Sequence, residues 1–158
     1  MKTITKMTMG VAALALCQCA PPAKTIPPQQ AFDVNVAIAP AAMTRLQELG
    51  DNVVVDVYYY GFPKPGAKAP VDDIGRVRLG DELYEIKLTA TRVTVTPTEL
   101  DPDLFSQVIE PRAQITVYSR TAQNSADDVL ECTMFNGTFA NTAKAVPTIT
   151  CALPTTPN

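Results

Sequence analysis

Apolar and polar residues alternate along several short stretches of the chain, the pattern of strands with one buried face. The segment FDVNVAI, residues 32–38, places Phe32 and three aliphatic residues on one side and polar or small residues on the other. In DNVVVDVYYYG, residues 51–61, both sides are largely apolar or aromatic, which predicts a central strand. The YYY run is typical of core and cross-strand packing, and an aromatic ligand platform is the alternative.

Between these two strands, PAAMTRLQELG has helical spacing. Pro40 suits the first turn of a helix, and Gly50 suits its end. The apolar residues between them share one side of the predicted helix: Met43, Leu46 and Leu49. We therefore predict one short helix here.

The segment RVRLGDELYEIKLTATRVTVT, residues 76–96, combines a turn signal with a change in alternation. It predicts a hairpin that turns at Gly80-Asp81, because glycine at the first position suits a tight type II′ turn. Farther along, the apolar residues change from even-numbered to odd-numbered positions, so they move to the other face of the strand. This predicts a bulge or a break near Thr91-Arg92.

The rest of the chain continues as short strands between Pro- and Gly-rich loops. Further elements are predicted as strands in AQITVYS (113–119), VLECTMF (129–135) and TITCAL (148–153), a helical turn at Pro102–Val108 and a turn at Asn136-Gly137. About seven strands with one short helix indicate an all-β fold, an immunoglobulin- or transthyretin-like β-sandwich. We expect this domain to span residues 32–154, followed by a flexible tail at 155–158.

Two cysteines lie on predicted strands near the end of the domain. Cys132 shares one strand face with Leu130 and Met134, and in TITCAL Cys151 shares one with Ile149 and Leu153. Both therefore point toward the core, and the eighteen residues between them allow their strands to lie side by side. In an oxidising compartment we expect a Cys132–Cys151 disulfide. Four cysteines permit three pairings, and a redox or metal-binding pair is the functional alternative.

Composition excludes several classes of protein. The chain has 158 residues, room for one domain, and contains no histidine. Histidine-dependent catalytic groups and imidazole-based zinc or iron sites are therefore excluded. The formal charge is −3; without Lys2 and Lys6, 11 basic residues face 16 acidic ones, a charge of −5. An acidic chain without a basic cluster argues against nucleic acid as a partner.

The first sixteen residues, MKTITKMTMGVAALAL, have the form of a secretory signal peptide. Lys2 and Lys6 precede an uncharged, mostly apolar stretch from Met7 to Leu16, which is too short to span a bilayer. Residues 17–31 follow as a proline-rich tether. Such a segment favours the extended polyproline II conformation and acts as a semi-rigid spacer.

The segment LALC, residues 14–17, resembles the lipobox of bacterial lipoproteins. The resemblance implies that the leader is removed before Cys17 and that Cys17 carries the lipid. It also implies that Gln18, the residue after the lipidated cysteine, directs the protein to the outer membrane, facing the periplasm. Cys19 is then a spare thiol outside the fold. Ordinary cleavage near Ala20, without a lipid, is the alternative.

Acidic residues are the remaining candidates for a cation site, since carboxylates in loops can bind Ca²⁺. They are Glu99, Asp101 and Asp103 in TELDPDLF, Asp72 and Asp73, and Asp127 and Asp128. None has the spacing of an EF-hand, so solvated turns and helix caps account for them, and we expect no cofactor. The paired carboxylates of a hydrolase are a further alternative.

These patterns predict a non-enzymatic lipoprotein of the cell envelope. Its β-sandwich is joined to the membrane through Cys17 and acts as a binding or assembly module, within an envelope protein complex. The alternative is a secreted, unlipidated domain that binds a small ligand or a cation.

Overall fold

The computed structural model describes residues 31–89, 91–124 and 129–155. Two four-stranded sheets pack against each other, so the predicted all-β sandwich is confirmed. The strands are β1 (Phe32–Ile38), β2 (Val53–Pro63), β3 (Val77–Ile86), β4 (Arg92–Val95), β5 (Val108–Ser119), β6 (Glu131–Cys132), β7 (Phe135–Thr138) and β8 (Thr148–Ala152). The helices are α1 (Pro40–Leu49), α2 (Pro102–Phe105), α3 (Phe139–Thr142) and a 3₁₀ helix (Arg120–Asn124).

Except for β2 and β3, strands that follow each other in the chain lie in different sheets. The first sheet has the order β4-β1-β8-β6, and the second has the order β3-β2-β5-β7. Paired strands are antiparallel except β1 and β8, which run parallel. β1 and β2 lie in different sheets, whereas strands A and B of a constant-type immunoglobulin domain share one, so the strand order differs from that of such a domain.

The core lies between the inner faces of the two sheets. Its fully buried side chains include Val34, Val53, Val55, Val57, Tyr59, Ile115 and Ile149. β2 pairs with β3 on one side and β5 on the other, as predicted for a central strand. The odd-numbered residues from Val53 to Tyr59 face the core, so the even-numbered ones face outward.

Helix α1 matches its predicted bounds. Gly50 ends it in the left-handed conformation (φ 62°), and the amide of Asp51 donates a hydrogen bond of 3.0 Å to the carbonyl of Leu46. Ala42 and Leu46 are buried against the core. Leu49, predicted on the same side as Leu46, is instead 47% exposed because the last turn extends past the edge of the core.

The predicted hairpin at Gly80-Asp81 is wrong, because β3 runs through both residues and pairs with β2 on either side of them. The register shifts next to Tyr59, and Gly80 lies at this irregularity. A Cβ atom on Gly80 would lie 2.2 Å from the carbonyl oxygen of Glu99. The glycine therefore permits close approach of a loop rather than a turn. The break predicted near Thr91-Arg92 is confirmed, since β3 ends in one sheet and β4 begins in the other.

The segment VLECTMF does not form one strand. β6 belongs to the first sheet and β7 to the second, so the chain crosses between the layers at Thr133 and Met134. Met134, predicted to face the core with Cys132, is 57% exposed because it lies in this crossing. The helical turn predicted at Pro102–Val108 is shorter than expected, since β5 already begins at Val108.

Candidate functional site

The outer face of the second sheet carries two tyrosines of the YYY run. In one row across the sheet, Leu83, Asp56 and Thr116 lie opposite one another; in the next row, Asp81, Tyr58 and Gln114 do so. We call this outer surface the tyrosine face and define it by Asp56, Tyr58, Tyr60, Arg78, Asp81, Leu83, Arg112, Gln114 and Thr116. It is the surface that the outward positions of β2 create.

Arg76, in the loop before β3, covers the rings of the tyrosine face. Its guanidinium carbon lies 5.3 Å from the ring centroid of Tyr58 and 5.0 Å from that of Tyr60, within cation–π range. The two rings stack at 5.9 Å. Arg76 Nε also donates a hydrogen bond of 2.8 Å to Asp72 Oδ2. The tyrosines are therefore held by their own chain rather than left as an open ligand platform.

Asn136 connects the far edge of the tyrosine face to its centre. Its side-chain oxygen accepts hydrogen bonds from the Tyr60 hydroxyl at 2.8 Å and from Arg112 Nε at 3.3 Å. The turn predicted at Asn136-Gly137 is wrong, because both residues lie inside β7. Gly137 instead makes room for a ring, since a Cβ atom there would lie 2.5 Å from Phe135 Cζ.

Glu82 is a buried carboxylate on the inner side of β3, and nothing in the alternation of its strand indicates its role. Its Oε2 accepts hydrogen bonds from the hydroxyls of Tyr59 at 2.8 Å and Tyr84 at 2.6 Å. Its Oε1 accepts from the amide of Thr98 at 2.7 Å, the hydroxyl of Thr98 at 3.1 Å and the amide of Glu99 at 3.1 Å. Through these hydrogen bonds, Glu82 holds the loop that follows β4 against β3, the edge strand of the second sheet.

The electrostatics of Glu82 follow from these contacts. Burial raises its pKa, but the hydrogen bonds that the carboxylate accepts outweigh burial and hold the pKa below its usual value. Burial, followed by the hydrogen bond to Glu82, raises the pKa of Tyr84 to about 12 and raises the pKa of Tyr59 as well. The carboxylate is thus ionised and the two hydroxyls remain protonated donors at neutral pH.

The acidic candidates of TELDPDLF have separate structural roles. Asp101 caps α2, since its Oδ1 accepts hydrogen bonds from the amides of Asp103 at 2.8 Å and Leu104 at 3.0 Å. Glu99 contributes its backbone amide to Glu82. Within the described ranges, no group of three or more Cys, Asp or Glu side chains is arranged to hold a metal ion. Asp127 and Asp128 lie outside the described residues.

The predicted disulfide between Cys132 and Cys151 is confirmed. The two residues lie directly opposite each other in β6 and β8. They line a hollow of about 590 Å³, together with small or aliphatic residues such as Ala37, Ile38 and Leu153. Cys17 and Cys19 lie outside the described residues, so lipidation of Cys17 stays a prediction.

The fold defines a class, an all-β sandwich with an internal disulfide. No family model, curated protein or solved structure matches this chain. Among the described helices, none has the length and apolar character needed to cross a bilayer.

Proposed function

We propose that this protein is a lipid-anchored component of the cell envelope whose β-sandwich acts as a non-enzymatic binding or assembly module. The observation that carries the binding role is the tyrosine face. It extends across β3, β2 and β5, its rings are held by Arg76, and it still exposes Leu83 to solvent. Glu82, by contrast, has both carboxylate oxygens engaged within its own chain, since Oε2 accepts from two tyrosine hydroxyls and Oε1 accepts from the loop after β4.

The anchoring role is supported by the sequence before the sandwich. A leader, the LALC segment and a proline-rich tether precede β1 in that order. A polyproline II segment as long as the fifteen-residue tether, at about 3.1 Å per residue, would span about 46 Å. That length exceeds the diameter of a small domain, so a sandwich anchored at Cys17 is free to meet partners on any face. We propose the outer membrane, facing the periplasm, as its location.

A metabolic label tests the anchor. Cells expressing the protein are grown with an alkyne analogue of palmitate, and the purified protein is assayed for the label. Incorporation is expected to disappear in Cys17→Ser and to persist in Cys19→Ser, the matched control two residues away. Undiminished labelling of Cys17→Ser would exclude anchoring through that residue.

The second candidate is a secreted, unlipidated domain that binds a small ligand. The hollow of about 590 Å³ beside the disulfide favours it, because its volume lies in the range of small-molecule sites. Intact-mass measurement distinguishes the two candidates. Cleavage near Ala20 leaves a protein without Cys17 and without lipid mass, whereas the anchored protein begins at Cys17 and carries the mass of its acyl chains.

A further inference from the structure

The loop from Asp72 to Arg76 is closed by its own hydrogen bonds. Asp72 Oδ1 accepts from the amides of Ile74 at 3.1 Å and Arg76 at 2.8 Å, and the amide of Asp72 donates to the carbonyl of Arg76 at 2.9 Å. The amide of Gly75 donates to the carbonyl of Asp72 at 2.9 Å. Since Arg76 also rests on the tyrosine rings, the loop is fixed to the tyrosine face.

This loop and the tyrosine face together expose aliphatic side chains on rigid supports. Ile74, at the tip of the loop, is 69% exposed, and Val71, just before it, is 52% exposed. Leu83, on the tyrosine face itself, is 50% exposed. A single exposed aliphatic residue is ordinary. Here, however, hydrogen bonds fix the backbone of the loop and of the strand, so a partner that covers these residues need not order that backbone.

The charge of the surface is unequally compensated. The arginines are all paired with acids: Arg76 with Asp72, Arg78 with Asp81, and Arg112 with Glu110. The carboxylates of Asp56 and Asp73, in contrast, receive neither a hydrogen bond nor an ion pair from the residues that the structure describes. The charge left over on this surface is therefore negative.

The uncompensated carboxylates lie beside the exposed aliphatic residues. Asp56 is directly opposite Leu83 in the β2–β3 register, and Asp73 precedes Ile74 in the chain. Asp56 is half-buried; burial, followed by the charge of Asp81, raises its pKa. A cation from a partner would offset the cost of holding this carboxylate ionised.

We propose that the tyrosine face and the Asp72–Arg76 loop dock a cationic amphipathic segment of a partner protein. Aliphatic side chains of that segment meet Leu83 and Ile74, and its lysines or arginines meet Asp56 and Asp73. The leftover negative charge steers a basic partner toward this surface and disfavours an anionic lipid surface. The inference rests on the proposed binding function and names the surface and the partner's chemistry.

A synthetic peptide supplies the probe for this surface. The peptide is a fluorescein-labelled amphipathic helix of leucine and lysine with all leucines on one face, and its control replaces every lysine with glutamate. Binding to the mature chain carrying Cys17→Ser is followed by fluorescence anisotropy. Only the lysine peptide is expected to bind.

Single variants locate the binding surface. Asp56→Asn and Leu83→Ser are each expected to weaken binding about fivefold or more, as for interface residues that contribute over 1 kcal/mol. The matched controls lie on α1: Glu48→Gln removes the same charge, and Leu49→Ser removes a leucine of similar exposure. Both controls are expected to change the affinity less than about twofold.

Each contrary outcome identifies a different surface or partner. Ile74→Ser lies on an exposed loop, so it tests the surface even if Leu83→Ser fails to fold. Equal binding of the glutamate peptide, or equal weakening in Glu48→Gln, would overturn the inference. Self-association of the protein that Leu83→Ser abolishes would also overturn it, because a second copy would then occupy the surface. Binding to phosphatidylglycerol vesicles that Ile74→Ser abolishes would overturn it in favour of a lipid surface. None of these outcomes depends on acylation, so they are distinguishable from failure of the palmitate-labelling experiment.

Discussion

Glu82 shows at the scale of single residues how a carboxylate can serve the fold of a small sandwich. It lies at a core-facing position of β3, where strand alternation predicts an apolar side chain. Hydrogen bonds from two tyrosine hydroxyls and two backbone amides compensate the cost of burying its charge. The sequence pattern of β3 could not indicate this, because Thr98 and Glu99 come from a distant loop. The partners of a buried charge are a tertiary property.

Glu82→Gln should therefore be strongly destabilising. The glutamine side chain is uncharged, so it loses the charge that strengthens hydrogen bonds of about 1.5–3 kcal/mol each. Its NH₂ group would also lie against a hydrogen-bond donor, where the carboxylate had an acceptor. We expect a loss of about 2–3 kcal/mol in the free energy of unfolding, measured by urea denaturation. Glu85→Gln, an exposed control on the same strand, should cost less than about 1 kcal/mol.

The same variant should change the pH dependence of stability. Because folding lowers the pKa of Glu82, its contribution is fully present above the unfolded value, about 4.5, and is lost as the pH falls through the folded value. The difference in unfolding free energy between wild type and Glu82→Gln should narrow below about pH 4.5. Parallel stability curves from pH 7 to pH 3 would contradict the assigned role of the carboxylate.

Gly80→Ala tests the close approach of the loop to β3. The added Cβ meets the backbone oxygen of Glu99 at 2.2 Å, so strand or loop must shift. We expect a loss of about 1–3 kcal/mol beyond that of Gly66→Ala, measured by thermal unfolding. Gly66 is the control because its φ is also positive, at 79°, but nothing lies within 4 Å of its added Cβ. Equal losses in the two variants would mean that the contact with Glu99 relaxes freely.

At the scale of elements, the disulfide does more than backbone hydrogen bonds to keep β6 in the first sheet. It has two residues, and its pairing with β8 consists of Glu131 with Ala152 and Cys132 with Cys151. Just after β6, the amide of Thr133 donates a hydrogen bond of 2.9 Å to the carbonyl of Thr150, and the amide of Thr150 donates one of 2.9 Å to the Thr133 hydroxyl. So short a strand has little hydrogen bonding of its own to keep it in the sheet.

Removing the disulfide should destabilise the whole sandwich. Cys132→Ser with Cys151→Ser opens a loop whose ends are 19 residues apart, and a loop of this size contributes about 3 kcal/mol. The matched control, Cys17→Ser with Cys19→Ser, should leave the unfolding free energy unchanged, since neither residue belongs to the predicted domain. Equal stability of the two double variants would show that the cross-link contributes nothing to the fold.

Alternation predicted individual strands well but not the sheets to which they belong. The strand at residues 32–38 has the expected bounds, and the parity change near Arg92 marked a real break. Gly80-Asp81 and VLECTMF were misread for the same reason. A period of two reports one buried face, and it is the same whether the chain turns, continues or crosses to the other layer.

At the scale of the whole molecule, the sandwich is expected to fold without the segment that precedes it. The predicted domain begins at Phe32, which is buried at the start of β1. A chain beginning at residue 31 and one beginning at residue 17 should therefore melt within about 2 °C of each other by circular dichroism. A lower melting temperature in the shorter chain would mean that residues 17–30 pack on the sandwich.

The sequence by itself determined the fold class, the position of the helix and the pairing of Cys132 with Cys151, because each depends on local periodicity or on a small number of reactive groups. It also supplied the prediction of an anchored, exported protein. Tertiary structure alone decided the strand order, the role of Glu82 and the surface formed by Asp56, Leu83 and Ile74. Those features bring together residues from separate strands and loops, and their contacts leave no periodic trace in any one segment.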